Sequence, residues 1–460
     1  MLPTKKFRLR RLLITAIGLS CGTLLFIGLR DPSSPYTAPG GREDNVLEPK
    51  DVPESHEPQA LPRFEAVTAA PSPADEIVQP GNGKPWFMKQ GTLRPSPGHA
   101  QRLWPHQVPS GDRIVDQLMY MPQGYARNAT KLKKIVLMYG LSGWGDLPKG
   151  RSIFLRDKCP VDTCEILTSQ DESPDADAIL FKDRFTPPKH RRNPNQVWML
   201  YLLECPYHTQ GFKGLKNIFN WTATYRHDSD IVAPYEKFVS FEPWLGRDDR
   251  PPVPVSSRNK TKKVAWFVSN CAARNQRLQY ARELSAYIDV HIYGQCGPFK
   301  CPRSRAGRCF DLLDRDYKFY LAFENSNCKD YITEKFFVNG LGHDVLPIAM
   351  GAQIDDYRRS SPNRSFIHVE TFPSPRELAD FLHLLDRNDT LYNEYFRWKG
   401  TGEFVNTYFW CRVCAMLHAP PVHKVYPDIH AWWSGPGTCN TRTWKAIKRK
   451  HQASIGYVFT

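Results

Sequence analysis

An α/β fold of two doubly wound halves is what this sequence predicts, and three observations predict it. Short apolar runs of strand length alternate with polar breaks and helical patterns from about residue 132 onward. A stretch rich in proline and charge, from Asp248-Asp249-Arg250-Pro251-Pro252 to Lys262-Lys263, divides those runs into two groups as an interdomain linker would. Ahead of both groups, a basic cluster, an uncharged run and a proline-rich segment read as an anchor and a stem.

In chain order, Lys5, Lys6, Arg8, Arg10 and Arg11 precede an uncharged run over 12–29, and Arg30-Asp31 follow it. Eighteen helical residues rise about 27 Å, enough for a thin early-secretory bilayer. A cleaved signal peptide would carry only about 7–15 apolar residues and a small-x-small site, which this run lacks. An uncleaved single-pass anchor over 12–29 is therefore expected, with 1–11 cytoplasmic and the C-terminus lumenal. Residues 31–110 hold 15 of the 39 prolines and show no periodicity, so 30–130 reads as an extended stem with its lead-in.

The net charge of +15 suits an anionic partner: nucleic acid, a membrane surface or a phosphate-bearing substrate. No zinc-finger spacing or other nucleic-acid motif occurs, and N-x-S/T triplets at Asn128, Asn220, Asn259, Asn363 and Asn388 fit a lumenal body, so nucleic acid is not the expected partner. Eleven of the 12 cysteines lie beyond the anchor, where disulfides persist, and the odd number leaves at least one thiol free or paired between chains. Cys411-Arg-Val-Cys414 has no second pair to complete a zinc site. It is expected in disulfides, either closed on itself or joined to distant cysteines such as Cys159 and Cys164.

In the first half, the runs at 135–139, 166–167, 178–181 and 197–203 read as strands. Glu204 stands where the last of these ends, just before Cys205-Pro206, and that end of an open α/β sheet faces the ligand crevice. A carboxylate there is either a general base or an ordinary surface Glu. Trp221 and Tyr225 are candidates for stacking on a sugar or for the core. Asp175-Ala-Asp177, Asp228-Ser-Asp230 and Asp314-Arg-Asp316 spell a metal-holding pattern three times, which shows how cheap it is. They read as surface or turn carboxylates, and no metal site is assigned.

In the second half, strands are expected at 264–268, 290–293, 318–323, 345–350 and 366–369, and a core-facing helix around Leu378, Phe381, Leu382 and Leu385. Arg274 lies in a strand-to-helix loop, where its planar fork suits phosphate; it is otherwise a surface Arg beside Arg277 and Arg282. Between the third and fourth of these strands, Asp330 is expected to cap a helix carrying Tyr331, Ile332, Phe336 and Phe337, with Glu334 and Lys335 in its first turn. Such a turn welcomes an anion, unless the pair is simply solvated.

The motif FENSNCKDYITEK at 323–335, followed by a Pro-containing strand and Gly351, resembles the donor-site motif of the α1,3-fucosyltransferases, glycosyltransferase family 10. Ser269, Asn270, Arg274 and Asn275 resemble its second donor motif, and Glu204-Cys205-Pro206 its acceptor-side Glu-Ser-Pro, with Cys in place of Ser. The long tail beyond Cys411-Arg-Val-Cys414 resembles the branch acting on the N-glycan core. The resemblance implies a GT-B fold of two facing Rossmann-like domains, an acceptor domain over 131–255 and a GDP-fucose domain over 256–415, then an extension over 416–460. It implies Glu204 as base, Arg274 and Lys335 on the pyrophosphate, Glu334 on the sugar–ribose side, and Asn325 and Tyr331 shaping the donor pocket. It further implies a single-pass type II Golgi enzyme that moves fucose, with inversion, to the 3-hydroxyl of the innermost GlcNAc of glycoprotein N-glycans; a Lewis-type transferase acting on antenna GlcNAc and a non-catalytic lumenal glycan-binding protein of the same fold are the alternatives. Stimulation by a divalent cation such as Mn2+ is compatible with this, and no motif requires it.

Overall fold

A computed structural model describes residues 85–90, 102–126, 128, 130–241, 260–302 and 306–440. The expected anchor at 12–29 and most of the linker lie outside these residues, and among those described no helix is long and apolar enough to cross a membrane. The first sheet holds β1 (Lys133–Leu137), β2 (Cys164–Leu167), β3 (Ala178–Lys182), β4 (Val197–Leu202) and β5 (Trp221–Thr224). All are parallel, in the order β2-β1-β3-β4-β5. After β6 (Lys237–Ser240), the second sheet holds β7 (Lys262–Val268), β8 (Val290–Gly294) and β9 (Tyr317–Phe323). Beyond the short β10 (Asn327–Cys328) it is completed by β11 (Leu346–Met350) and β12 (Ile367–His368). It is also parallel, in the order β8-β7-β9-β11-β12.

Both sheets therefore run 2-1-3-4-5 in their own chain order. In each, the connections change direction between the first and third strands, and the crevice at that switch point is where such sheets bind ligands. In the second sheet the switch lies between β7 and β9. Every residue of β9 is buried, as a central parallel strand covered on both faces must be. One face is covered by Tyr280, Ala281 and Leu284 of the helix Arg277–Leu284 and by Leu378, Leu382 and Leu385 of the helix Pro375–Arg387; the other by Phe336, Phe337, Leu341 and Tyr357. The α3 helix is Arg277–Leu284, preceded in the first lobe by α1 (Ile114–Met119) and α2 (Ser152–Arg156).

The domain limits differ from the expected ones at both ends. Within the expected stem, Phe87, Met88, Leu103 and Trp104 are buried against the first lobe, and α1 packs beside them, because this part of the stem carries large apolar side chains. At the other end, the strand Gly402–Val405 pairs antiparallel with β6, and the helix Phe409–Leu417 then sets Trp410, Val413 and Met416 against Ile135, Leu137 and Met199. The helix Ile429–Ser434 adds Ile429 and Trp433 to the opposite side of the same sheet. The chain after 402 thus completes the first lobe instead of closing the second at 415.

Disulfides fasten this return. Cys411 pairs with Cys159 and Cys414 with Cys164, so the Cys-x-x-Cys pair does not close on itself. Cys271–Cys296, Cys301–Cys309 and Cys328–Cys439 make three more, and the leftover thiol is the buried Cys205.

Candidate active site

The carboxyl ends of the two sheets meet, and the expected site residues stand on both sides. Glu204 follows β4 by two residues and is half-buried. Its Oε2 accepts a hydrogen bond from Tyr331 Oη of the second lobe at 3.2 Å, and His208 Nδ1 lies 4.0 Å away. Across the crevice, Arg274 in the loop after β7 is exposed, with its guanidinium 5.0 Å from the Tyr207 ring of the first lobe. It makes no ion pair among the described residues. Arg277, expected beside it at the surface, is instead 4% exposed: Nη1 donates to Phe323 O and Nη2 to Asn270 O, bracing the ends of β9 and β7 together.

The helix over the donor motif starts later than expected. Asp330 does not cap it; its φ is +57°, and its carboxylate is held by His227 Nδ1 at 2.6 Å and Arg359 Nη2 at 2.8 Å. These partners hold the Asp330 carboxyl, against its burial, down at about 2. The cap is Thr333, whose hydroxyl accepts from Lys335 N, and the helical turn Glu334–Phe336 passes into a π turn over Phe337–Leu341.

The strongest charge arrangement joins the expected Glu334 and Lys335 to Glu324, which was not among the expected site residues. Glu324, the first residue after β9, is fully buried, and its carboxylate accepts from Thr333 N at 2.8 Å, from Thr333 Oγ1 and from Lys335 Nζ at 3.3 Å. Its close packing against Gly351 explains that glycine: a Cβ there would lie 2.7 Å from Glu324 Cβ, at a φ of +151°. Lys335 Nζ also contacts Glu334 Oε1 at 3.0 Å. Burial raises the proton affinity of Glu324 even though Lys335 opposes it. Burial also disfavours the Lys335 ammonium, but Glu324 and Glu334 outweigh it and hold that amine above its ordinary value. Burial works against the Glu334 carboxylate too, and Lys335 brings it below the usual range. The result is a lysine held charged at the crevice, with one carboxylate behind it and one beside it. Glu324 follows the buried strand β9 by one residue, as Glu204 follows β4 by two, and that place just past a strand was the signal for it.

Asn325 is half-buried, with an Oδ1 that is buried and lacks a partner among the described residues. Tyr331 is 2% exposed and directs its hydroxyl to Glu204 instead of an open pocket. Trp221 and Tyr225 are core residues. Among the Asp-x-Asp pairs, Asp177, Asp228, Asp230, Asp314 and Asp316 are each held by a Lys, Arg or His. Of the glycosylation candidates, Asn128 and Asn363 are exposed, and exposed Asn388 caps the helix Asp389–Glu394. Asn220 is tied into the fold through Trp198 N and Lys424 O, and Asn259 lies outside the described residues.

Residues 131–236 match the N-terminal fucosyltransferase model, and 257–432 match the C-terminal model of glycosyltransferase family 10 (fucosyltransferase). Glycoprotein 3-alpha-L-fucosyltransferase A of Drosophila melanogaster is 55% identical over 398 residues, 82% of this chain and 78% of its own. Alpha-(1,3)-fucosyltransferase C of the same organism is 35% identical over 61% of this chain and 71% of its own. A crystal structure of an alpha1,3-fucosyltransferase with GDP-fucose is similar at a TM-score of 0.42 and 15% identity, over 69% of this chain and 98% of its own. With both halves matched and a relative of this identity over most of its length, the chain belongs to glycosyltransferase family 10, the fucosyltransferases.

Proposed function

We propose that this chain transfers L-fucose from GDP-β-L-fucose to the 3-hydroxyl of the innermost, Asn-linked GlcNAc of N-glycans. Glu204 takes the hydroxyl proton as the oxygen attacks the fucose anomeric carbon opposite the diphosphate. The carbon–oxygen bond to phosphate breaks, GDP leaves with the electron pair, and the linkage inverts to α. Charge grows on the departing diphosphate, where Arg274 and Lys335 act, and such fixed donors contribute on the order of 3–4 kcal/mol each. Glu334 contacts the sugar–ribose side, with Asn325 beside it.

One observation carries the reading. A carboxylate at the end of one sheet and a lysine kept charged in the other sheet's donor segment belong to a single crevice, joined by the Tyr331–Glu204 hydrogen bond. The acceptor follows the name of the Drosophila relative at 55% identity. The reading extends to a Golgi membrane enzyme held by 12–29 with its body in the lumen, supported by the basic cluster and the five disulfides.

The test offers GDP-fucose to the detergent-purified full chain with a core N-glycopeptide or a free lactosamine chain. Fucose on the 3-position of the innermost GlcNAc is expected. Glu204→Gln is expected to bind GDP yet transfer about 10²–10⁴-fold more slowly. Fucose on the lactosamine chain alone would sink the core assignment, and an unchanged kcat in Glu204→Gln would remove the base.

A further inference from the structure

The donor segment is fastened to the opposite lobe at several points. Tyr331 and Cys328 lie inside the first lobe's core with Leu202, Cys205, Phe212 and Tyr225. Cys205 Sγ donates to Ser326 Oγ at 3.2 Å, and His227 reaches Asp330 through both its backbone N and Nδ1. The Tyr331 ring lies 5.2 Å from the Tyr225 ring, which packs in turn on Trp433 at 5.6 Å. A ring so enclosed holds its hydroxyl in one place, and among the described residues that hydroxyl donates to Glu204 Oε2.

Resting on the proposed function, we infer that Tyr331 is a positioning residue for the base. It holds the Glu204 carboxylate from within the donor segment, so that the base and the diphosphate cation Lys335 keep their spacing as one unit. The titratable groups near Glu204 are Asp183 at the end of β3, Cys205 and His208 on its own turn, Tyr235 ahead of β6, and Tyr331. Tyr235 directs its hydroxyl to Leu203 O, and Cys205 donates to Ser326. Tyr331 alone among them donates a hydrogen bond to the carboxylate within 3.5 Å. Burial keeps the Tyr331 hydroxyl protonated far beyond any working pH, so it remains a donor whatever the state of Glu204.

Tyr331→Phe removes the hydroxyl and keeps the ring, so it is expected to lower kcat about tenfold by freeing the carboxylate to turn away from the attacking hydroxyl. The GDP Kd from calorimetry stays within about twofold, because the ring and Lys335 remain. Placing 3-fluorotyrosine at 331 keeps the donor in nearly the same shape, so its kcat stays within about threefold of the wild type and gives a readout if the Phe variant folds poorly. In a Glu204→Asp background, where the carboxylate is one methylene shorter, Tyr331→Phe adds little. An unchanged kcat with weakened GDP binding would make Tyr331 a donor contact and overturn the inference, as would an equal effect in the Asp background. Wild-type transfer is measured alongside. If it is present while Tyr331→Phe leaves kcat unmoved, the positioning role alone fails; if it is absent, the proposed function fails and the positioning role falls with it.

Discussion

Arg274 and Lys335 have the same proposed task, yet removing them is expected to have different consequences for the fold. Arg274 is exposed and contacts only the Tyr207 ring, so Arg274→Ala costs below about 1 kcal/mol of stability. Lys335 is the cation facing Glu324, whose side chain is 0% exposed, at 3.3 Å. Lys335→Ala strands that carboxylate, and its cheapest relief is to bind a proton. Counted from the ordinary value of 4.5, that costs at most about 3.4 kcal/mol at pH 7 and about 2 at pH 6, and less by whatever burial already costs Glu324 in the wild type. Glu324 in the variant is an acid with raised folded-state proton affinity, so the variant's deficit grows as pH rises. Denaturant unfolding of the wild type and both variants at pH 6 and 7 measures this, and GDP release with a core glycopeptide measures turnover. Turnover should fall about 10²–10³-fold in each variant. Adding Glu324→Gln should restore most of the stability lost in Lys335→Ala, without restoring turnover. A pH-independent deficit, or an Arg274→Ala deficit as large, would refute the charge reasoning; wild-type turnover in Arg274→Ala would remove it from the donor site.

Three further outcomes are expected. The pairs Cys159–Cys411 and Cys164–Cys414 close loops of 252 and 250 residues side by side, so either alone supplies about 5.5 kcal/mol of loop-closure entropy and the second adds only about 2.5. Unfolding of single-pair and double-pair Cys→Ala variants checks that inequality, and single-pair losses near 5 would contradict it. His368 is 2% exposed, with Nε2 donating to Ala352 O and Nδ1 accepting from Glu370 N, so burial holds it neutral down to about 4. Its contribution is present above pH 6.5 and is lost toward pH 4, by up to about 3 kcal/mol, a fall that His368→Gln should flatten in a pH series of unfolding curves. Glycopeptide mass spectrometry should find glycans at Asn128 and Asn363 and none at Asn220, whose amide nitrogen donates to Lys424 O.

What was legible in the sequence follows the range of the interactions. The run 318–323 announces β9 because a central parallel strand is apolar on both faces, and Leu378, Leu382 and Leu385 announce a helix because they share one core face. Glu204, Arg274, Glu334 and Lys335 lie at strand ends and in a first turn, as the local pattern places them, while the roles proposed for them rest on the family resemblance. The start of the donor helix was not legible: Asp330 looks like a cap by its neighbours, but its partners are His227 and Arg359, over 100 residues back and 29 ahead. Glu324 was hidden in a polar break, although it too stands just past the end of a buried strand. The return of 402–440 to the first lobe depends on contacts some 250 residues apart, which no local pattern reveals.

That return has a consequence for biosynthesis. The first sheet emerges early, but the face that receives Trp410, Val413 and Met416 stays bare until the chain has grown past 417. At about 5–20 residues per second, the 252 residues between Cys159 and its partner represent roughly 10–50 s of translation. During that interval Ile135, Leu137 and Met199 lack the cover of Trp410, Val413 and Met416, and Cys159 and Cys164 have no native partners, while Cys271 and Cys296 can already join across 25 residues. The half made first is thus the half finished last, and until then it carries apolar surface and unpaired thiols of the kind that make folding intermediates prone to aggregate.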